Sequence, residues 1–170
     1  LRHGAGALII DGGGDIVVVV ELIAGPIGGA GVGDDALDHA GQLLGQLRIE
    51  GAHRAAELRD VKVYTAFAIG RVDAPYAKAE LRDSFEPLSF FVANNIRKAI
   101  NEGVAQTIPA FLGEIPFLFR SGQIPLDVTL LNVSEPDEEG YCSYGVSADL
   151  AFSAVECSKT IIAQVNKYMP

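Results

Sequence analysis

The sequence predicts an α/β fold: an open, mostly parallel sheet with helices on both faces. Three observations carry that expectation. Short, nearly continuous apolar runs rich in β-branched residues recur along the chain, as strands buried on both faces do. Segments of helical spacing, punctuated by Gly and Pro, separate them. A chain of 170 residues with 49% apolar composition is long enough to bury one core.

Taken in order, Asp15–Ile23 reads as a first strand and Ala36–Arg48 as a helix. Val61–Gly70 (VKVYTAFAIG) is a β-branched and aromatic run ended by Gly, the pattern of a buried strand. Ser89–Ala93 (SFFVA) is expected to be the next strand, and Ile96–Glu102 a helix with Gly103 at its C-cap. Gln106–Leu112 reads as a strand, and Glu114–Ser121 as a short helix with a Pro in its first turn. Leu126–Ser134 (LDVTLLNVS) is the clearest strand, closed by a turn over Glu135–Gly140. Ala148–Ser158 then reads as a helix and Thr160–Val165 as a last strand.

Composition divides the chain near residue 55. Residues 1–54 hold 13 of the 19 Gly and no aromatic residue, Lys, Ser, Thr, Asn, Cys or Met; the first Lys is Lys62 and the first aromatic Tyr64. Gly costs extra backbone entropy to order, and aromatic side chains normally supply much of a core. Two readings of this segment stay open: a Gly-rich lobe, or an out-of-frame translation of GC-rich DNA that would be poorly ordered. Residues 55–170 are expected to form the α/β domain proper.

Charge and cysteine usage exclude several functions. With 13 basic against 22 acidic residues the net charge is −9, which disfavours nucleic acid or an anionic membrane surface as partner. The longest apolar run, Ile16–Val20, is far below the roughly 20 residues of a spanning helix, and the opening residues carry no secretory pattern. Cys142 and Cys157 make no disulfide framework. A soluble, cytoplasmic protein is expected.

Few motifs carry chemistry. Gly31-Val-Gly33-Asp-Asp-Ala36 fits G-x-G-x-x-A with Glu50 downstream, but seven residues separate it from the strand, and Asp34 and Asp35 would repel a pyrophosphate. His3, His39 and His53 lie in the Gly-rich segment without zinc-like spacing, so no metal site is expected. Cys142 and Cys157 read as buried small hydrophobes rather than nucleophiles. Ser134-Glu-Pro-Asp-Glu-Glu-Gly140-Tyr-Cys-Ser-Tyr-Gly145 leaves the C-terminal end of the strongest strand, where open α/β sheets gather ligands. Spacing alone favours an acidic surface turn there. In Phe90-Phe-Val-Ala-Asn-Asn-Ile-Arg97 a strand gives way to a helix. Asn95 is expected to cap that helix, while Asn94 and Arg97 could face an anionic ligand.

At these residues the chain resembles the acetyl-CoA hydrolase/transferase family, which includes 4-hydroxybutyrate and acetate CoA-transferases, and looks like the N-terminal domain of such an enzyme. The resemblance rests on AELRDVKVY (Ala56–Tyr64), APYAKAELRDSF (Ala74–Phe85), SFFVANNIRKAINEG (Ser89–Gly103), IPAFLGEIPFLFRSGQIPLDV (Ile108–Val128), VSEPDEEGYCSYGVS (Val133–Ser147) and IIAQVNKYMP (Ile161–Pro170), in that order. There are departures. The family usually has Gly-Ala where Ala93 and Asn94 stand, and its loop usually reads Ser-Pro-Pro-Asp-x-His-Gly-Tyr-Cys-Ser-Leu-Gly, against Glu135, Glu139 and Tyr144 here. In a pocket the two added carboxylates would disfavour anionic ligands by roughly 1 kcal/mol per close contact. Residues 1–54 do not recognisably match the family opening.

The resemblance implies a CoA-transferase-like N-terminal domain that moves CoA between acyl-CoA and small carboxylic acids of the acetate, butyrate or 4-hydroxybutyrate class, or hydrolyses acyl-CoA. Coenzyme A would be a substrate, with no permanently bound cofactor and with a homo-oligomer in the full-length enzyme. The nucleophilic glutamate, which forms an enzyme-glutamyl-CoA thioester, is expected in a C-terminal domain absent from this chain, so no catalytic residue is assigned here. Asn94, Asn95, Arg97, Ser134, Asp137 and Gly140 are the substrate- and CoA-cleft candidates. The alternative is a truncated, non-catalytic domain that binds CoA or a partner without chemistry.

Overall fold

Val17–Glu21 (β1), VVVVE, is a β-branched run of high strand propensity. In the computed structural model of the protein this strand lies inside a six-stranded sheet with strand order β4-β3-β2-β1-β5-β6. The others are Val61–Thr65 (β2), Phe85–Ser89 (β3), Gln106–Thr107 (β4), Leu126–Val133 (β5) and Ser158–Val165 (β6). The structure describes residues 17–21, 59–66, 74–145 and 148–165. The expected helix at Ala36–Arg48, the G-x-G-x-x-A stretch and all three histidines lie outside them.

Every strand pair is parallel, as near-continuous apolar strands predict. β1 aligns Val17–Val20 with Lys62–Thr65 of β2 on one side and Val18–Glu21 with Val128–Leu131 of β5 on the other. A strand from the Gly-rich side of the composition change is thus a member of the same sheet.

Helices cover both faces. Neighbouring residues on a strand point to opposite sides, and Val63 and Tyr64 of β2 belong to different core clusters. Asn94–Asn101 (α1) buries Ile96 and Ala99 with Val61, Val63, Val128 and Leu130. Ile115–Arg120 (α2) and Ala151–Cys157 (α3) bury Ile115, Phe119 and Ala154 with Tyr64, Leu88 and Leu126 on the other face.

Local chemistry sets the boundaries. α1 ends in a full αL closure: Gly103 has φ 71°, its N–H donates to Ile100 O (3.1 Å), and Val104 N–H reaches Ala99 O (2.8 Å). The C-terminal Gly is therefore as expected. α2 starts with Pro116 in its first turn, also as expected.

Several boundaries differ from the sequence expectation: β2 ends at Thr65, α1 starts at Asn94 rather than Ile96 and β6 at Ser158 rather than Thr160, and three further elements shift for identifiable reasons. The strand expected at Ser89–Ala93 is instead Phe85–Ser89 (FEPLS), whose Glu86 and Pro87 disguise it. Pro87 is tolerated for a geometric reason. Val61 N–H donates to Ser84 O and Phe90 N–H to Thr65 O, so the even-numbered residues of β3 bond β2 and the odd ones face away. The missing N–H of Pro87 thus falls on the β4 side, where pairing begins only at Leu88. The strand expected at Gln106–Leu112 shrinks to Gln106–Thr107, because its partner β3 ends at Ser89, whose carbonyl takes the last bond from Ile108 N–H (2.9 Å). The helix expected at Ala148–Ser158 spans Ala151–Cys157 and passes straight into β6, where Ser158 is already extended.

Candidate functional site at the carboxyl edge of the sheet

Because all strands run one way, their C-terminal ends share one edge. β1 to β4 step outward on one side of the sheet, while β5 and β6 lie on the other, so the order reverses between β1 and β5. In open α/β sheets the ligand crevice lies at that reversal, outside the carboxyl ends. The segment that leaves β5 there is Ser134–Gly145.

This loop is closed by two rungs, each using a side-chain oxygen as acceptor. Ser134 N–H donates to Ser143 O (3.0 Å) while Ser143 N–H donates back to Ser134 Oγ (2.9 Å). Asp137 N–H donates to Tyr141 O (2.9 Å) while Tyr141 N–H donates to Asp137 Oδ1 (2.7 Å). The same Oδ1 accepts from Glu139 N–H (3.1 Å), and Gly140 N–H reaches Asp137 O (3.0 Å). Gly140 sits at φ 86°, a conformation in which a side chain is strained. Glu135, Glu138 and Glu139 point to solvent, and Tyr141 is 74% exposed.

The second group of candidates lies after β3. α1 begins at Asn94, with Ala93 as its N-cap and Ala93 O accepting from Ile96 and Arg97 N–H (3.3 and 3.1 Å). Asn95 is therefore not the cap: it sits inside the first turn and is half-buried, because the chain turns helical two residues earlier than the apolar spacing indicates. Asn94 and Arg97 are exposed, and Arg97 Nη2 donates to Val92 O (3.3 Å). Ser134, Asp137 and Gly140 thus share one loop, and Asn94, Asn95 and Arg97 one helix start. The two groups lie on the same edge, three strand positions apart, about 14 Å at the usual strand spacing.

Sequence reasoning missed a buried hydroxyl cluster beneath the helix start. Thr65 Oγ1 donates to Ser89 Oγ (3.3 Å), and Ser89 Oγ donates to Phe91 O (2.7 Å), tying the ends of β2 and β3 to the approach to α1. The Tyr76 hydroxyl is buried beside Thr65; burial pushes it up to about 12, the Thr65 hydroxyl pulling the other way. Burial also raises Tyr64. No contiguous motif marks this cluster, since its members come from separate segments.

Exposed apolar groups occur on the segments at this edge as well as at Phe117 and Phe152 of α2 and α3. Phe91, Phe111, Leu112, Tyr141 and Val165 are 45–80% exposed and stand on the segments that leave β3, β4 and β5 or at the end of β6. Cys142, expected to be buried, is exposed between the two rungs of the loop, and Cys157 is half-buried. Among the described residues no group of three His, Cys, Asp or Glu could hold a metal ion, and no helix is long and apolar enough to cross a membrane.

The sequence profile of the acetyl-CoA hydrolase/transferase N-terminal domain matches residues 35–170. The chain belongs to the acetyl-CoA hydrolase/transferase family. The match includes residues 35–54 of the Gly-rich segment, against the expectation that residues 1–54 do not match the family opening. The chain is 36% identical over 138 residues to a succinyl-CoA:acetate/propanoyl-CoA:succinate CoA transferase of Fasciola hepatica, covering 81% of this chain and 29% of that protein. It is 45% identical over 95 residues to a 4-hydroxybutyrate coenzyme A transferase of Clostridium kluyveri, covering 56% and 22%. The chain therefore spans less than a third of the length of these curated relatives. Among solved structures, RipA of Yersinia pestis superimposes with a TM-score of 0.66 at 25% identity, over 91% of this chain and 34% of that one. A 4-hydroxybutyrate CoA-transferase of Porphyromonas gingivalis matches with a TM-score of 0.53 at 29% identity, over 91% and 30%.

Proposed function

We propose that this chain is the N-terminal, substrate-facing part of an enzyme that transfers CoA between an acyl-CoA and a small carboxylic acid of the acetate, butyrate or 4-hydroxybutyrate class. The observation that carries the reading is the loop Ser134–Gly145 at the strand-order reversal of a sheet whose relatives are CoA-transferases. Asn94, Asn95 and Arg97 line the same edge, and the exposed apolar side chains there offer a surface for a further α/β unit to close the cleft.

In this reading the nucleophile comes from that further unit. A glutamate carboxylate attacks the acyl-CoA thioester and expels the CoA thiolate, leaving a mixed anhydride. The thiolate then attacks the glutamyl carbonyl and releases the acyl group as carboxylate, which gives the enzyme-glutamyl-CoA thioester. A second carboxylate takes up CoA by the reverse steps. The protein is cytoplasmic and works as a homo-oligomer.

Glu135, Glu138 and Glu139, exposed on the loop, weigh against an anionic substrate there and favour a second reading, a module without chemistry that binds a partner, or CoA through another surface. Incubating the protein together with its further unit and acetyl-CoA radiolabelled in the CoA part, followed by hydroxylamine, separates the two. An enzyme yields a covalent CoA adduct that hydroxylamine releases, and a binding module yields none.

A further inference from the structure

Ser134 and Asp137 stand among the cleft residues, yet their oxygens are already engaged. Ser134 Oγ accepts from Ser143 N–H and donates to Glu135 O (3.0 Å). Asp137 Oδ1 accepts from two main-chain donors, at 2.7 and 3.1 Å. Charge-assisted bonds of this length are the stronger kind. Each oxygen occupies the place of a carbonyl in a hairpin rung, in a loop that contains Pro136 and the positive-φ Gly140. The residues held out by those rungs are Tyr141 and Cys142, both exposed.

We infer that Asp137 and Ser134 are positioning residues that hold the loop so that Tyr141 meets the acyl-CoA, rather than groups that touch the ligand themselves. This rests on the reading of the carboxyl edge as the acyl-CoA site. The three exposed glutamates also bear on which part of the ligand lies here. Carboxylates repel the phosphates of CoA, so the part beside Tyr141 is the uncharged pantetheine and acyl portion.

The test compares Asp137→Asn, which keeps an acceptor oxygen and loses the charge, with Asp137→Ala, which loses both. Exchange of the Tyr141 and Glu139 amides is followed by NMR, and acetyl-CoA affinity by calorimetry. Asp137→Ala should speed exchange at Tyr141 about tenfold or more and weaken acetyl-CoA binding in parallel, while Asp137→Asn stays within about threefold of the parent in both. Tyr141→Ala should weaken acetyl-CoA binding without altering exchange at Glu139, and Tyr141→Phe should restore it.

Unchanged exchange in Asp137→Ala overturns the positioning role. So does an Asp137→Asn variant that keeps its amide protection but binds acetyl-CoA as weakly as Asp137→Ala, since the charge would then touch the ligand. If the parent protein binds no acetyl-CoA, the acyl-CoA reading of this edge fails and the Tyr141 assignment with it. The exchange data still decide whether Asp137 holds the loop.

Discussion

The two halves of the candidate site keep their shape by opposite means. At the start of α1 the backbone does the work: Ala93 supplies no side-chain cap, and its carbonyl takes the first helical N–H groups. In the loop after β5 the side chains do it, through Ser134 Oγ and Asp137 Oδ1. The exposed Asn94 at the helix start can therefore change with little cost to structure, whereas Ser134 and Asp137 cannot change without moving the loop.

The largest perturbation should separate the two halves outright. Ile96 is buried under α1 among Val61, Val63 and Val128, and Ile96→Ala should cost about 2–5 kcal/mol. Urea melts would show that loss. If amide exchange then speeds in α1 while Tyr141 stays protected, the halves are independent; equal loss in both would break the comparison.

Alkali probes the same face. Tyr76 lies in the α1-side cluster with its hydroxyl raised to about 12 from the usual 10.0. A raised folded-state value means that the unfolded chain ionises first, so stability is fully present below pH 10 and falls as pH rises toward 12. The loss should be on the order of 2–3 kcal/mol, and Tyr76→Phe should remove this part of the alkaline decline. Denaturant midpoints between pH 9 and 12 measure it.

A smaller effect belongs to the loop alone. An added Cβ at Gly140 meets nothing within 4 Å, so Gly140→Ala is strained only by its φ of 86°, about 1 kcal/mol. It should shift the Tyr141 and Ser143 amide resonances and leave those of α1 in place. Smallest of all, Asn94→Ala, at an exposed first-turn position, should change stability by less than about 0.5 kcal/mol. A drop in acetyl-CoA affinity at unchanged melting temperature would assign Asn94 to the cleft; unchanged affinity would remove Asn94 from the ligand contacts.

The same contrast governs what the sequence could disclose. The parallel sheet, the strand Leu126–Val133 and the αL glycine of α1 were legible because period, β-branching and Gly carry those features locally. FEPLS was not legible as a strand, since nothing in five residues tells which side of the ladder Pro87 faces; β2 and β4 decide that. Asn95 was misassigned for a related reason. Apolar spacing starts the helix at Ile96, but its first turn is exposed and carries no apolar mark. Of the site, the chain disclosed the loop as a turn and hid that Asp137 and Ser134 are the atoms closing it. The cluster of Thr65, Tyr76 and Ser89 exists only once β2 and β3 are side by side.

Pro87 has a further consequence, for how copies of this protein meet one another. Beside β3, ahead of the two-residue β4, the sheet offers a short stretch of unpaired strand edge among the described residues. A strand from a second molecule that tried to extend the sheet there would find no donor at Pro87 and the carboxylate of Glu86 next to it. Proline and charge at an edge are what keep natural sheets from templating fibrils. The residue that hid the strand from the sequence also guards it against aggregation.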